Sequence, residues 1–218
     1  MDVKNIIDLT AEVRTYMPVW VTAPLPNINP IGIVSRDGYN FETISAGTHT
    51  GTHIDAPYHF DENGRTVDQI ELKTLVAEGI CLQVKANEKK EIGLQELKSK
   101  WKREFDGKII LLNTGWSKKR AFTKEFLMDF PGLGMDTTDF LIEHKIKLIG
   151  IDTLGIHPYV HRDFEVHKAL LTRDFCFIED LANLDSLVEG KKYLIVALPL
   201  KLKGASGSMA RVVALDIF

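Results

Sequence analysis

The run His49-Thr50-Gly51-Thr52-His53-Ile54-Asp55-Ala56-Pro57-Tyr58-His59 gathers three of the chain's seven histidines and an aspartate within eleven residues. All four stand at odd positions. Alternate residues of an extended backbone share one face, so His49, Gly51, His53 and Asp55 are expected to point the same way, with Gly51 leaving room between the imidazoles. A helix is the wrong frame. Gly51 and Pro57 interrupt the run, and Thr50, Thr52 and Ile54 are β-branched. Two imidazoles and a carboxylate on one face are a usual ligand set for a divalent metal. The plainer alternative, satisfied polar groups at a sheet edge, fits a lone histidine better than this cluster.

A second group lies downstream. In Asp163-Phe-Glu-Val-His167-Lys-Ala-Leu-Leu171, helical spacing places Phe164, His167 and Leu171 on one stripe, so His167 is expected on or beside the inward face. Glu179 closes the apolar run Phe175-Cys-Phe-Ile, where a carboxylate needs a cation or good donors. Taken singly, His167 reads equally well as a hydrogen-bonded core histidine, and Glu179 as the partner of an arginine. Taken with the first cluster, three imidazoles and two carboxylates could hold two metals, roughly 3.5–4 Å apart in such centres. His59 is left over beyond Pro57, where a free imidazole suits proton transfer.

Outward from these stretches the chain reads as one mixed α/β unit over residues 1–218. Apolar strand-like runs recur at Gly79–Val84, Lys108–Asn113, Lys147–Asp152, Phe175–Glu179, Lys192–Ala197 and Ala210–Leu215. Several lack polar alternation, as strands covered on both faces do. Leu94, Leu97, Trp101 and Phe105 recur at helical spacing. Asp136-Thr-Thr-Asp139 resembles a capped helix start, a helix is expected over about 163–171, and a short one near Leu181. Pro18–Pro30 carries four of the eight prolines and reads as extended and irregular. No G-x-G-x-x-G follows a strand, which argues against a dinucleotide fold. The Gly204-Ala-Ser-Gly-Ser208 segment is not a nucleophile elbow and reads most simply as a turn.

The 218 residues include 27 Lys+Arg and 30 Asp+Glu, for a formal charge of −3. Without basic clusters, neither nucleic acid nor an anionic membrane surface is an expected partner. No run approaches the ~18 apolar residues of a membrane span. Met1-Asp-Val-Lys-Asn5 lacks the features of a signal peptide, and Cys81 and Cys176 read as buried thiols, so a cytoplasmic setting is expected.

The motif H-x-G-T-H-x-D-x-P-x-H at 49–59 is joined by Ile7-Asp-Leu-Thr10, Pro18-Val-Trp20, Gly150-Ile-Asp-Thr153, the Phe164–Leu171 run, Glu179-Asp-Leu-x-Asn-Leu-Asp185, Leu198-Pro-Leu-Lys201 and Gly207-Ser-Met-Ala-Arg211. Together these resemble the cyclase family of metal-dependent hydrolases, which includes bacterial kynurenine formamidases. The resemblance implies a swivelling β/β/α domain with a mixed sheet flanked by helices, and a homo-oligomer, dimer or tetramer. It implies metal ligands at His49, His53, Asp55, His167 and Glu179, an acid/base at His59, and a substrate-contacting aromatic at Trp20, which equally reads as a core tryptophan. One or two divalent ions are expected, zinc favoured for an imidazole-rich set and manganese the alternative. The expected substrate is a small amide, N-formylkynurenine first, with a cyclic amide as in isatin hydrolases, or another carbonyl compound, as the alternative. A non-catalytic metal-binding protein is the reading from another class. The chain departs from the family pattern at Val21-Thr22-Ala23, where Pro-Gly-Asp is common, and at His157-Pro158 and His161, which read as surface-loop histidines.

Overall fold

The computed structural model describes residues 3–217. Twelve strands run in chain order: β1 (Asn5–Asp8), β2 (Asn27–Gly32), β3 (Phe41–Ser45), β4 (His53–Asp55), β5 (Val76–Gln83), β6 (Glu91–Ile92), β7 (Ile109–Asn113), β8 (Gly132–Leu133), β9 (Leu148–Ile151), β10 (Phe177–Glu179), β11 (Lys192–Pro199) and β12 (Gly207–Asp216). Six helices accompany them: α1 (Val34–Asp37), α2 (Leu72–Leu75), α3 (Leu94–Lys100), α4 (Lys124–Met128), α5 (Met135–Glu143) and α6 (Glu165–Leu171).

The main sheet has the order β1-β12-β11-β5-β7-β9-β10-β4, and β4 pairs again with β12. That last pairing closes seven strands into a barrel and leaves β1 outside the ring. The length of β12 makes the closure. Its first residues, Gly207 to Met209, pair with β4, while Val213 to Asp216 pair with β1, and β11 runs along its other edge. The stretch β5-β7-β9-β10 is parallel and the other pairings of this sheet are antiparallel.

The parallel strands are buried on both faces, which explains their unbroken apolar runs. Cys81, Ile109, Leu111, Leu148 and Ile178 join residues of β4, β11 and β12 in one core cluster. The alternate positions Ile80, Leu82, Ile110, Leu112, Ile149 and Phe177 pack instead against Leu97 of α3, Leu141 of α5 and Val166 and Leu170 of α6. The fold is thus the expected mixed sheet flanked by helices. What the sequence reading lacked is the closure, because a three-residue strand such as β4 has no periodic signature of its own.

Several local expectations shift. The helix expected through Phe105 stops at Lys100, with Trp101 extended and a separate 3₁₀ turn at Arg103–Phe105. Helix α5 begins at Met135 after Gly134, with no side-chain cap, so Asp136-Thr-Thr-Asp139 lies inside it. The short helix expected near Leu181 is a 3₁₀ turn at Leu184–Ser186. The proline-rich segment leads into β2, which pairs with β3 as a separate hairpin. Cys81 and Cys176 are free and buried, as expected, and burial pushes both thiols up to about 12, leaving them unreactive. Among the described residues no helix is long and apolar enough to cross a membrane.

Candidate metal centre and substrate cavity

The site forms where β4 is clamped between β10 and β12. His53 and Asp55 lie two residues apart on this strand and so share a face. Glu179 is the cross-strand partner of His53, and Gly207 that of Asp55. Register alone therefore sets the two carboxylates beside one imidazole.

His49 arrives differently from what alternation suggests. Gly51 has φ of 60°, a left-handed conformation that folds the chain back on itself. The Gly51 carbonyl accepts from His53 Nδ1 at 2.8 Å. A Cβ on Gly51 would meet Val13 and Met17 rather than either imidazole. Gly51 thus shapes a turn; it does not clear space between rings. From this turn His49 Nδ1 reaches Asp55 Oδ1 at 2.6 Å, and its Nε2 lies 2.9 Å from Ser206 Oγ. Pro57–His59 forms a 3₁₀ turn that returns His59 to the site, stacked on His49 with ring centroids 4.1 Å apart. Helix α6 supplies His167, whose Nε2 is 3.2 Å from Glu179 Oε1. The same oxygen accepts the Ile156 N–H at 2.6 Å. The arginine expected beside Glu179 pairs instead with the next residue, Arg120 Nη1 lying 3.0 Å from Asp180 Oδ2.

All five proposed ligand positions and His59 therefore meet in one place. Their grouping differs from the sequence expectation. Ligand atoms of His53, Asp55 and Glu179 form one set within 4.8 Å, and those of His49, Asp55 and His59 form another. Asp55 is common to both, as a bridging carboxylate between two ions would be.

The donor set fits a divalent cation. His53 Nε2 lies 3.1 Å from Asp55 Oδ1 and 3.5 Å from Glu179 Oε2, yet it is buried and makes no hydrogen bond. Two ligands of one tetrahedral zinc, with bonds of ~2.1 Å, are themselves about 3.4 Å apart. Electrostatics agree. Burial alone would push His53 down, but the Asp55 carboxylate beside it, then the Glu179 charge, lift it to about 9. Burial alone would raise Asp55, but the His49 charge and hydrogen bond, reinforced by His53, hold its carboxyl well below the usual carboxylate range. A site that draws a proton onto a buried imidazole has the negative potential that a cation exploits. His59 goes the other way. Burial pushes it to about 4, Asp55 pulls against this, and His49, His167 and His53 add to the depression. It is therefore a neutral base at neutral pH.

Above the polar floor is a cavity of about 330 Å³, walled by Trp20, Phe60, Leu154 and Phe164. Trp20 lies against Tyr159 and Phe164 with ring centroids 5.4 and 6.1 Å apart, so it is both cavity wall and part of an aromatic cluster. His157 is not the surface-loop residue expected: it is 8% exposed and stacked on the half-buried His161. Phe60, Ser206 and the Ile156 N–H escaped the sequence reading. Only Ser206 left a trace there, within a segment rich in glycine and serine.

This fold and this site define a class. The chain belongs to the cyclase family, whose model, described as "Putative cyclase", matches residues 7–158. Among curated relatives, a kynurenine formamidase of Bacillus thuringiensis subsp. konkukian (strain 97-27) is 33% identical over 174 residues, 80% of this chain and 79% of the relative. A solved structure described as a potential metal-dependent hydrolase with cyclase activity is 30% identical, covers 98% of both chains and superposes with a TM-score of 0.77. Isatin hydrolase A from Labrenzia aggregata, bound to benzyl benzoate, is 25% identical, with a TM-score of 0.86 over 97% of this chain and 93% of its own.

Proposed function

We propose that the chain is a metal-dependent amidohydrolase that converts N-formylkynurenine to kynurenine and formate. The observation that carries this is His53 Nε2, buried without a hydrogen bond between two carboxylates at metal-ligand spacing. His49, His53, Asp55, His167 and Glu179 would hold one or two ions, with zinc favoured and manganese the alternative. When bound, a divalent cation supplies Lewis acidity to a substrate carbonyl and makes water acidic enough to react at neutral pH. The chain's own residues do the rest. Trp20, Phe60 and Phe164 stack on the aryl ring and exclude water, fixing the amide over the polar floor. Neutral His59 takes a proton at Nε2 from the attacking water and delivers it to the departing nitrogen as the C–N bond breaks. Ser206 fixes the His49 ring, and the Ile156 N–H fixes the Glu179 carboxylate, as outer partners of metal ligands do.

The 25% identical isatin hydrolase supports a second reading, hydrolysis of a cyclic amide in the same cavity. We place the chain as one hydrolase domain of the swivelling β/β/α type, in the cytoplasm and as a homodimer or tetramer. The β2–β3 hairpin supports the oligomer: Ile31, Phe41 and Ile44 on it are about half exposed or more, a face a second copy would bury. Elemental analysis of protein purified without chelator, followed by assay of N-formylkynurenine and cyclic amides with zinc or manganese, tests the function. Metal-dependent formate release from N-formylkynurenine is expected. Metal-free protein with full turnover, or a metal-loaded protein that opens only cyclic amides, would overturn it.

A further inference from the structure

N-formylkynurenine carries an α-amino acid chain, and its carboxylate must be met by a cation or left in water. Among the described residues no lysine or arginine lines the cavity. Three cations lie over rings of the aromatic cluster that shares Leu154 and Trp20 with the cavity wall: Lys119 over Trp116, Arg120 over Phe126 and Arg162 over Tyr159. Lys119 is paired with Glu125 and Arg120 with Asp180. Arg162 makes no side-chain hydrogen bond or ion pair among the described residues, and the adjacent Asp163 is the one that faces His157, at 3.7 Å. The Arg162 guanidinium stands 4.1 Å from the Tyr159 ring centroid. Tyr159 in turn contacts Trp20, and Phe164, two residues beyond Arg162, lines the cavity. A guanidinium stacked on a ring keeps its in-plane N–H groups free, and those are the groups that grip a carboxylate in pairs.

We infer that Arg162, exposed on the aromatic cluster that adjoins the cavity, is a specificity residue that binds the carboxylate of the substrate's amino acid chain. The inference rests on the formamidase reading for its substrate, and it assigns Arg162 no part in bond cleavage. Selectivity for an amino-acid-bearing aryl formamide over a neutral one then comes from one exposed side chain, while the aromatic wall accepts both.

The test compares wild type, Arg162→Gln and Arg162→Lys on N-formylkynurenine and on 2-formamidoacetophenone, which keeps the aryl formamide and lacks the amino acid chain. Arg162→Gln should raise KM for N-formylkynurenine roughly two- to fivefold, as suits an exposed charge pair, leave kcat within about twofold, and leave the neutral substrate unchanged. Arg162→Lys should recover part of the loss. Equal losses on both substrates would make Arg162 merely structural, and no loss on either would make it irrelevant; each overturns the inference. If wild type hydrolyses neither compound, the formamidase reading fails separately. Calorimetric binding of kynurenine against 2-aminoacetophenone then decides Arg162: a preference for kynurenine that the Gln variant loses supports it, and identical binding by both proteins refutes it.

Discussion

Gly207→Ala should damage the site through geometry alone. Gly207 faces Asp55 across the β4–β12 pairing. A Cβ built there lies 2.6 Å from His49 Cε1, 2.6 Å from the Ile54 carbonyl oxygen and 3.0 Å from His49 Nε2. Non-bonded carbons settle at ~3.5–4.0 Å, so the overlap with the ring is about 1 Å. The His49 ring can swing away only by giving up its contacts with Asp55 and Ser206. The Ile54 oxygen belongs to strand backbone and moves only if β4 shifts against β12. Overpacking of this kind costs about 1–3 kcal/mol, and a displaced ligand weakens metal affinity roughly 10–100-fold. Urea denaturation of metal-free protein reads the first quantity and competition with a chromophoric chelator reads the second. Ser206→Ala is the control: it frees His49 Nε2 without adding bulk and should weaken metal binding with little loss of metal-free stability. A Gly207→Ala protein with wild-type stability and metal affinity would refute the close-packed arrangement of β12 on His49.

Arg120→Met leaves the Asp180 carboxylate, 1% exposed, without its partner; a loss of roughly 3–5 kcal/mol is expected in urea denaturation, partly recovered by adding Asp180→Asn, and an unchanged midpoint would contradict the pairing. His59→Ala should lose about 10²–10⁴-fold in kcat on an amide and much less on an activated ester while keeping its metal; loss of metal would make His59 a ligand of the His49–Asp55 set. The pH dependence follows from His53, lifted from 6.5 to about 9 in metal-free protein. Its stabilising contribution is full below pH 6.5 and is lost as pH rises through about 9. Because a cation must displace that proton, apparent metal affinity should climb up to about tenfold per pH unit toward pH 9 and then level off, and affinity independent of pH between 6 and 9 would exclude a protonated His53.

The parallel strands were legible because burial on both faces leaves an unmistakable apolar run, as in Ile109–Asn113. The histidine cluster was legible because three of only seven histidines rarely fall within eleven residues by chance. The reason for its convergence was only half right. Alternation places His53 and Asp55 together, but the left-handed turn at Gly51 delivers His49, and a positive φ leaves no periodic mark. Contacts between distant segments were hidden for a different reason. Ser206 on His49 and Arg120 on Asp180 depend on barrel closure and on loop paths, which no local pattern encodes. His157 was misread because its burial comes from His161 stacked on it and His167 of α6 beside it, not from an apolar stripe of its own.

The proposed chemistry depends on a cation held by His53, Asp55 and Glu179, with Asp55 shared toward His49. Anomalous scattering at the zinc edge from crystals grown with zinc tests it most directly. A peak at bonding distance from His53 Nε2 and from an oxygen of each carboxylate is the predicted result, with any second peak on the His49 side of Asp55. Zinc bound elsewhere, with His53 Nε2 still without a partner, would contradict the account.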